Sequence, residues 1–510
     1  MFLHPTLAKV ARTWYYADEG KEGRASVTSQ HIITFRQHLR PEHVGEYVLL
    51  PVEVPPGMAR LEVRYSYDHA VAPLAGAPPG NAIDLGLFDA HGADFGNAAG
   101  FRGWSGTARQ EVYVEPGDAT PGYLPGSLRP GVWHVALGLY RIHPSGCNYE
   151  VTVRLVEGPV SEPAPAPWPP PQVRRETRWY RGDLHCHSHH SEASGTLADL
   201  CGAAREQGLD FLAVTEHNTT SHHRLLGQFQ TAEFLPIPGQ EITSYRGHAN
   251  VWGADRWVEF RLRRDADLSR AISMAHAAGG LFSANHPKTN GPPWEFGTFA
   301  GIDCLEVWQG PWFLSNYQSL EVWDGLLQSG QRVVGVGGSD QHQPAAQEGP
   351  SWHRVGAPTT WVYAPALEER AILGAIKAGR VFISAGPGGP RLELWAQAGD
   401  QTAMMGDQLP VAGRGRVRLE ARVQGAAGQV LRLVGPKGIL AESPIASDDF
   451  AFEHALTVRA PTYVRPEVAQ PLDPAEADEP AARRLMAMWI PFPPSGSCCK
   501  GRAQVRPPVT

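Results

Sequence analysis

The chain has 510 residues, enough for roughly two to four domains, with 42% apolar and 19% charged residues. That balance, with 55 glycines and 45 prolines, excludes wholesale disorder, collagen and coiled coil, and points to a compact chain rich in turns. Against 52 acidic side chains stand 45 basic ones, a formal charge of −7, so no global basic field exists for a nucleic-acid backbone and no specific nucleic-acid partner is expected.

At the N-terminus the apolar stretch is broken by His4, Pro5 and Lys9, and no run approaches the roughly 20 apolar residues of a membrane helix. Cys147, Cys186, Cys201, Cys304, Cys498 and Cys499 form no zinc-type CxxC pair and are too sparse for a disulfide framework. The expectation is a soluble, unsecreted, cytoplasmic protein with no membrane partner and an unspecified oligomeric state.

Within residues 1–156, short apolar-polar alternations recur between turns, as at Leu61, Val63, Tyr65 and Tyr67 or Tyr149, Val151, Val153 and Leu155. They predict an N-terminal antiparallel β-sandwich. Residues 157–177 read as a linker, because the first fifteen carry seven prolines.

From 178 to 386 the pattern becomes α/β. Candidate strands 181–188, 211–218, 235–243, 248–253, 281–287, 302–310 and 332–342 alternate with helical stripes such as Leu197, Leu200, Cys201 and Ala204. Strand 359–364 and a helix over 367–379 follow. Alternation returns over about 388–465, so 387–494 reads as a small C-terminal β-domain that ends in a short helix, PAARRLMAMW, before a disordered tail over 495–510.

Twelve of the 21 histidines lie between residues 185 and 353. His185, His187, Glu216, His217, Glu241, His248, His286, Asp340 and His342 all fall at or just past the C-terminal ends of candidate strands, the edge where functional groups converge in barrel-type α/β folds. Residues two apart on a strand share a face, so His185 with His187, and Asp340 with His342, can each offer two ligands to one cavity. Burying so many imidazoles and carboxylates is costly unless divalent cations hold them together.

His189, His190, His222, His223, His276 and His353 read as solvated loop or helix-face residues. Cys186 points away from its two neighbours into packing, and Trp252, Trp308 and Trp312 read as core or pocket wall. The cluster Arg102, Trp104 and Arg109 reads as a turn with solvated charges.

Together DLHCHSHHSE, VTEHN, GQEIT, HANVWG, NHP, EVWQG and GGSDQH resemble the successive motifs of the polymerase and histidinol phosphatase (PHP) metallohydrolase superfamily. The leading β-sandwich, with GFRGWSG and ATPGYLPG, and the downstream TTWVYA…AGRVFISAGP look more narrowly like its carbaryl hydrolase (CehA/McbA-type) subgroup. The resemblance implies a distorted, TIM-like (β/α)7 barrel holding two or three divalent ions, with His185, His187, His217, Glu241, His248, His286, Asp340 and His342 as ligands. A ninth family ligand is usually Asp; here it is Glu192, one methylene longer. Glu216 replaces a more common Asp and is expected to orient a ligand. Six nitrogen and three oxygen ligands suit Zn²⁺, Mn²⁺ or Fe²⁺.

Those ions would make a metal-bound hydroxide, with Glu241 and Asp340 as bridging candidates and Asp340, His342, His286 and Glu241 at the reacting centre. The substrate would be a small-molecule ester: a phosphoester, with Lys288, Arg246 and Trp308 as binding candidates, or alternatively a carbamate or carboxyl ester. A non-enzymatic metal-stabilised scaffold is a further reading, and an amidohydrolase another. No GxSxG elbow supports a serine hydrolase.

Overall fold

The computed structural model describes residues 30–71, 79–159, 173–344, 354–411, 413–460, 462–471 and 485–489. The central part of the expected linker, the expected tail, the first half of the expected C-terminal helix and His353 lie outside the described residues. The chain divides into two compact units: Met1–Pro167 with the short segments His189–Glu192 and His217–His222, and Trp168–Ser188, Ala193–Glu216 and His223–Thr510.

The first unit carries β1 (Gln30–Leu39), β2 (Tyr47–Val54), β3 (Met58–Tyr67), β4 (Ala82–Phe88), β5 (Phe101–Gly106), β6 (Glu111–Val114), β7 (Gly131–Arg141) and β8 (Cys147–Glu157). They form two four-stranded sheets, ordered β1-β8-β3-β6 and β2-β7-β4-β5. Inward residues of both sheets, Leu61, Val63 and Val151 from one and Leu85, Val135 and Leu137 from the other, share one core. That is a β-sandwich, built by the period-two pattern of its strands.

The Arg102 cluster corrects the sequence reading. Arg102 and Trp104 sit on β5, Trp104 is 2% exposed, and the Arg102 guanidinium reaches Gly126 O at 3.0 Å, Asp89 at 3.4 Å and the Trp133 ring at 5.1 Å. Arg109 donates to the carbonyls of Pro121, at 3.1 Å, and His189. Arg102 is bonded inside the unit rather than solvated, because strand pairing turns alternate side chains inward, while Arg109, in the turn after β5, is held by those two carbonyls.

The second unit begins with β9 (Arg178–Cys186), α1 (Leu197–Glu206), β10 (Phe211–His217), β11 (Leu235–Ser244), β12 (Gly247–Trp252), α2 (Asp265–Ala277), β13 (Leu281–Ala284), β14 (Cys304–Gln309), α3 (Asn316–Gln328) and β15 (Val334–Gly338). Strands β9 to β15 are consecutive neighbours in one sheet. The sheet nearly closes on itself: Asp340 N donates to His185 O at 2.8 Å, His187 N to Gln341 O at 3.1 Å, and Cys186 bridges Gln341 in parallel. Gly338 permits this approach, since a Cβ there would lie 2.4 Å from the Cβ of His185.

Compared with the expected (β/α)7 arrangement, α-helices interrupt only three of the six connections, and β11–β12 and β12–β13 pair antiparallel. The two-residue turn between β11 and β12 leaves no length for a crossover helix, so that pair must run antiparallel.

Next come β16 (Thr359–Ala364), α4 (Glu369–Lys377), β17 (Val381–Ser384), β18 (Arg391–Ala398), β19 (Gln401–Met404), β20 (Gly415–Gln424), β21 (Val430–Gly435), β22 (Gly438–Pro444), β23 (Asp449–Val458), β24 (Arg465–Ala469) and β25 (Leu485–Trp489). Strands β19-β18-β20-β23 make a separate sheet. β16, β17, β25, β24, β21 and β22 instead continue outward from β9, giving thirteen strands in one sheet. Trp361 and Phe382 from β16 and β17 share a core with Leu392, Val423, Leu431 and Val468.

The expected C-terminal helix is a strand where it is described. β25 pairs antiparallel with both β17 and β24. Two facing strand edges with unfilled N–H and C=O groups outweigh the helix propensity of Leu, Met and Ala.

Candidate metal centre

Along β9 and one residue past its end, Asp183, His185 and His187 alternate with Leu184 and Cys186, and the two imidazoles have ring centroids 5.1 Å apart. Cys186 is fully buried, as expected for packing, with Sγ 3.4 Å from Ser339 Oγ. Glu241 lies near the end of β11, His248 near the start of β12, His286 just past β13 and Asp340 just past β15. His286 and Asp340 hold left-handed backbone, φ 29° and 53°, conformations that side-chain-bearing residues adopt only where surrounding structure fixes them.

Two carboxylates sit among five imidazoles. Glu241 Oε1 lies 3.3 Å from His185 Nε2, 3.2 Å from His248 Nδ1 and 3.6 Å from His286 Nε2. Its Oε2 is 3.6 Å from His187 Nε2. Asp340 Oδ1 lies 3.0 Å from His187 Nε2, 3.3 Å from His185 Nε2 and 3.6 Å from His342 Nδ1. His342 stacks on His187 with centroids 4.2 Å apart.

The donor atoms fall into groups compact enough for an ion: His185, His187, Glu241 and Asp340; Glu241, His248 and His286; and His185, His286 and Glu306. Glu241 belongs to two of them.

One atom tests whether these residues fit a cation. His185 is fully buried, and its Nδ1 lies 2.9 Å from Glu306 Oε1, so Nδ1 carries a proton donated to that carboxylate. Its Nε2 has no hydrogen-bond partner, although oxygens of Glu241 and Asp340 both lie 3.3 Å away. An Nε2 facing two carboxylates calls for positive charge there, as a proton or a cation, and nitrogen and carboxylate donors in this number suit a divalent ion.

The electrostatics carry the same demand. Burial opposes a charged ring at His185, but Asp340, Glu306 and Glu241 outweigh it and hold the group well above the ordinary histidine range. Burial likewise opposes the charged form of Asp340, and His185, His187 and His342 hold it well below the carboxylate range. The cluster requires cationic charge, as protons or as metal.

Several supporting residues escaped the sequence reading. Glu306, in the strand EVWQG, orients His185 and also accepts from His286 N at 3.2 Å. Asn285 Nδ2 donates to Glu241 Oε1 at 2.9 Å, and Gln309 Nε2 to Asp340 Oδ2 at 2.8 Å. Asp183 accepts from the backbone N–H groups of His185, Ser339 and Gly356 at 3.1, 3.0 and 2.7 Å, pinning β9 to the end of β15. The available signal was position: Asp183 shares a face of β9 with His185, and Glu306 lies in the strand motif EVWQG.

The remaining candidates are placed differently. His217 ends β10 and meets the Glu192 carboxylate within the first unit. Glu216 is fully buried, and its Oε1 accepts from the N–H and hydroxyl of Ser188, bracing the chain just after the ligand candidate His187. Lys288 is 3% exposed, with Nζ 2.9 Å from Asn316 Oδ1 and 3.4 Å from Gln309 O; burial lowers its pKa to about 8, against the pull of Glu306 and Asp340.

Arg246 donates to the carbonyls of Arg263, at 3.0 Å, and Glu295, at 2.5 Å. Trp308 is buried and donates to Gly310 O at 3.0 Å. Trp252 and Trp312 are buried, as wall residues should be. His190 and His222 are buried as well, against the expectation of solvated loops; His190 Nδ1 lies 2.8 Å from Ser221 Oγ. His276 does lie on the exposed face of α2, 2.7 Å from Asp303.

Residues 183–277 match the PHP domain. The matched span of the PHP domain holds His185, His187, Glu192, His217, Glu241 and His248, and stops short of His286, Glu306, Asp340 and His342.

Two solved structures are similar to the chain. A two-domain protein from Bacteroides vulgatus, described as containing a predicted PHP-like metal-dependent phosphoesterase, is 18% identical over 58% of this chain and 94% of its own, with a TM-score of 0.34. A protein from Bifidobacterium adolescentis, named as a candidate metal-dependent phosphoesterase, is 17% identical over 34% of this chain and 92% of its own, with a TM-score of 0.26. At these scores the likeness carries no functional argument. No curated protein sequence matches the chain. Among the described residues, no helix is long and apolar enough to cross a membrane.

Proposed function

We propose that the chain is a metal-dependent hydrolase acting on phosphoesters. The observation that carries the reading is Glu241, one buried carboxylate whose oxygens lie within 3.6 Å of His185, His187, His248 and His286 and which belongs to two donor groups at once. A carboxylate so placed can be shared by two ions.

His185, His187, Glu241 and Asp340 would hold one ion and Glu241, His248 and His286 a second, with His342 a further ligand in this reading; the donor types suit Zn²⁺, Mn²⁺ or Fe²⁺. Divalent ions bound there supply Lewis acidity towards a phosphoryl oxygen and lower the pKa of water. Glu306 keeps the proton of His185 on Nδ1, so that Nε2 stays free to ligate. Gln309 fixes the second oxygen of Asp340, and Asn285 holds Glu241. The Lys288 ammonium, held by Asn316, contributes positive charge where an anionic ester would bind.

Metal analysis of the purified chain, with turnover of bis-p-nitrophenyl phosphate and 1-naphthyl N-methylcarbamate by wild type and Asp340→Ala, tests the reading. Two or more ions per chain, with phosphodiester turnover lost in the variant, is the expected result. Preferred turnover of the carbamate would move the assignment to a carbamate ester hydrolase, and bound metal without turnover of either would leave a metal-stabilised scaffold.

A further inference from the structure

A second concave site lies in the same unit, between α3 and strands β21, β22 and β24. It is a cavity of about 250 Å³, and none of its lining residues belongs to the metal-binding cluster. Its polar wall is preorganised. Arg465 has a side chain only 4% exposed, clamped between Asp324 and Glu467, whose Oε1 lies 2.8 Å from its Nε. Asp324 also accepts from Tyr463 OH at 3.0 Å. Arg465 is therefore a fixed structural cation whose donors are used.

Arg432 is different. Its residue exposure is 9%, its Nε donates to Glu442 at 2.6 Å, and its terminal nitrogens make no further hydrogen bond among the described residues. A largely buried guanidinium with spare donors on the wall of a cavity can offer them to an acceptor from outside the chain. On the same cavity, Trp312 is 8% exposed and its indole nitrogen likewise has no acceptor among the described residues.

The chemistry of the lining narrows the class of ligand. Carboxylates of Asp324, Glu467 and Glu321 outnumber the guanidinium groups of Arg432 and Arg465, which disfavours a phosphate or other anion. The wall carries both donors and acceptors, and Trp312 and Tyr317 supply aromatic surface. Hydroxyl groups, each both donor and acceptor, match such a wall, and the C–H faces of a sugar ring match the aromatics. We infer that this cavity binds a small neutral polyhydroxylated ligand, of the size of a hexose or cyclitol. The inference is independent of the hydrolase reading, because its readout is binding alone.

The test is saturation-transfer NMR and calorimetry on the full chain with D-glucose, D-galactose and myo-inositol, using glycine and inorganic phosphate as contrasting probes. The variants are Arg432→Ala, which removes the spare donors, and Ile439→Trp, which adds bulk at a cavity-lining position that is 54% exposed and therefore tolerant of change. Saturable binding of at least one polyol, weakened about tenfold or more in both variants with their melting temperatures kept, supports the site. No polyol binding, polyol binding indifferent to both variants, or Arg432-dependent binding of glycine or phosphate alone overturns it. Should Arg432→Ala misfold, Ile439→Trp decides by itself.

Discussion

Glu306 shows how much of the centre depends on residues that touch no substrate. It fixes the tautomer of a buried histidine and, through its other oxygen, the backbone of His286. Glu306→Gln is expected to lower metal affinity roughly 10–100-fold while leaving the fold intact, read as ions retained per chain against a graded chelator. Gly338 acts by having no side chain. Gly338→Ala places a Cβ against that of His185, so the expected outcome is a loss of about 1–3 kcal/mol in denaturant unfolding, together with reduced metal content.

His223 gives a pH signature of its own. Burial pushes its imidazole down to about 4, and its Nε2 lies 2.9 Å from Gly239 O, where the neutral ring donates. In the unfolded chain the group takes its proton near pH 6.5, whereas the folded chain resists protonation until about pH 4. Its contribution is thus fully present above about pH 6.5 and is lost as pH falls towards 4, by at most about 3 kcal/mol. Urea unfolding at pH 7 and pH 4.5 should show a larger acid loss in wild type than in His223→Gln; equal losses would reject this assignment.

Among the elements, β9 and β25 mark the two extremes of what a sequence discloses. β9 was legible because its period-two histidines stand out, and the helices α1 to α4 because their apolar residues recur at three and four. Ligand-bearing strand ends were legible for the same reason: His, Glu and Asp are expensive at such positions unless they share a task. β25 was not legible, since its residues favour a helix locally and only the edges of β17 and β24, distant in sequence, make it a strand. The buried setting of Arg102 was hidden likewise, because Asp89 and Gly126 reach it only after β5 pairs with β4. Ala487 pairs with both Ser384 and Val468, so Ala487→Pro removes a ladder donor between two partners. The melting temperature of the second unit is expected to fall by several degrees in calorimetry, for a cost of roughly 3 kcal/mol.

At the scale of the whole molecule, metal and stability should be linked. The negative charge converging on His185 needs compensation, and ions that bind only the folded cluster stabilise it by mass action. Exhaustive dialysis against a chelator is expected to lower the melting temperature, and added Zn²⁺ or Mn²⁺ to restore it. The Asp340→Ala variant should show neither response to the same degree. Loss of metal without any thermal shift would mean that the cluster is stable on its protons alone.

The thirteen-stranded sheet has one more consequence, in time rather than in space. β25 is the last described strand along the chain, yet it lies inside that sheet, between β17 and β24. While the protein is being synthesised, the strands on either side are complete before the one that joins them exists. Two open edges, each able to pair with a neighbouring chain, therefore persist until the ribosome releases β25. A pause in translation just upstream of Leu485 would lengthen the interval in which nascent chains can stick to one another.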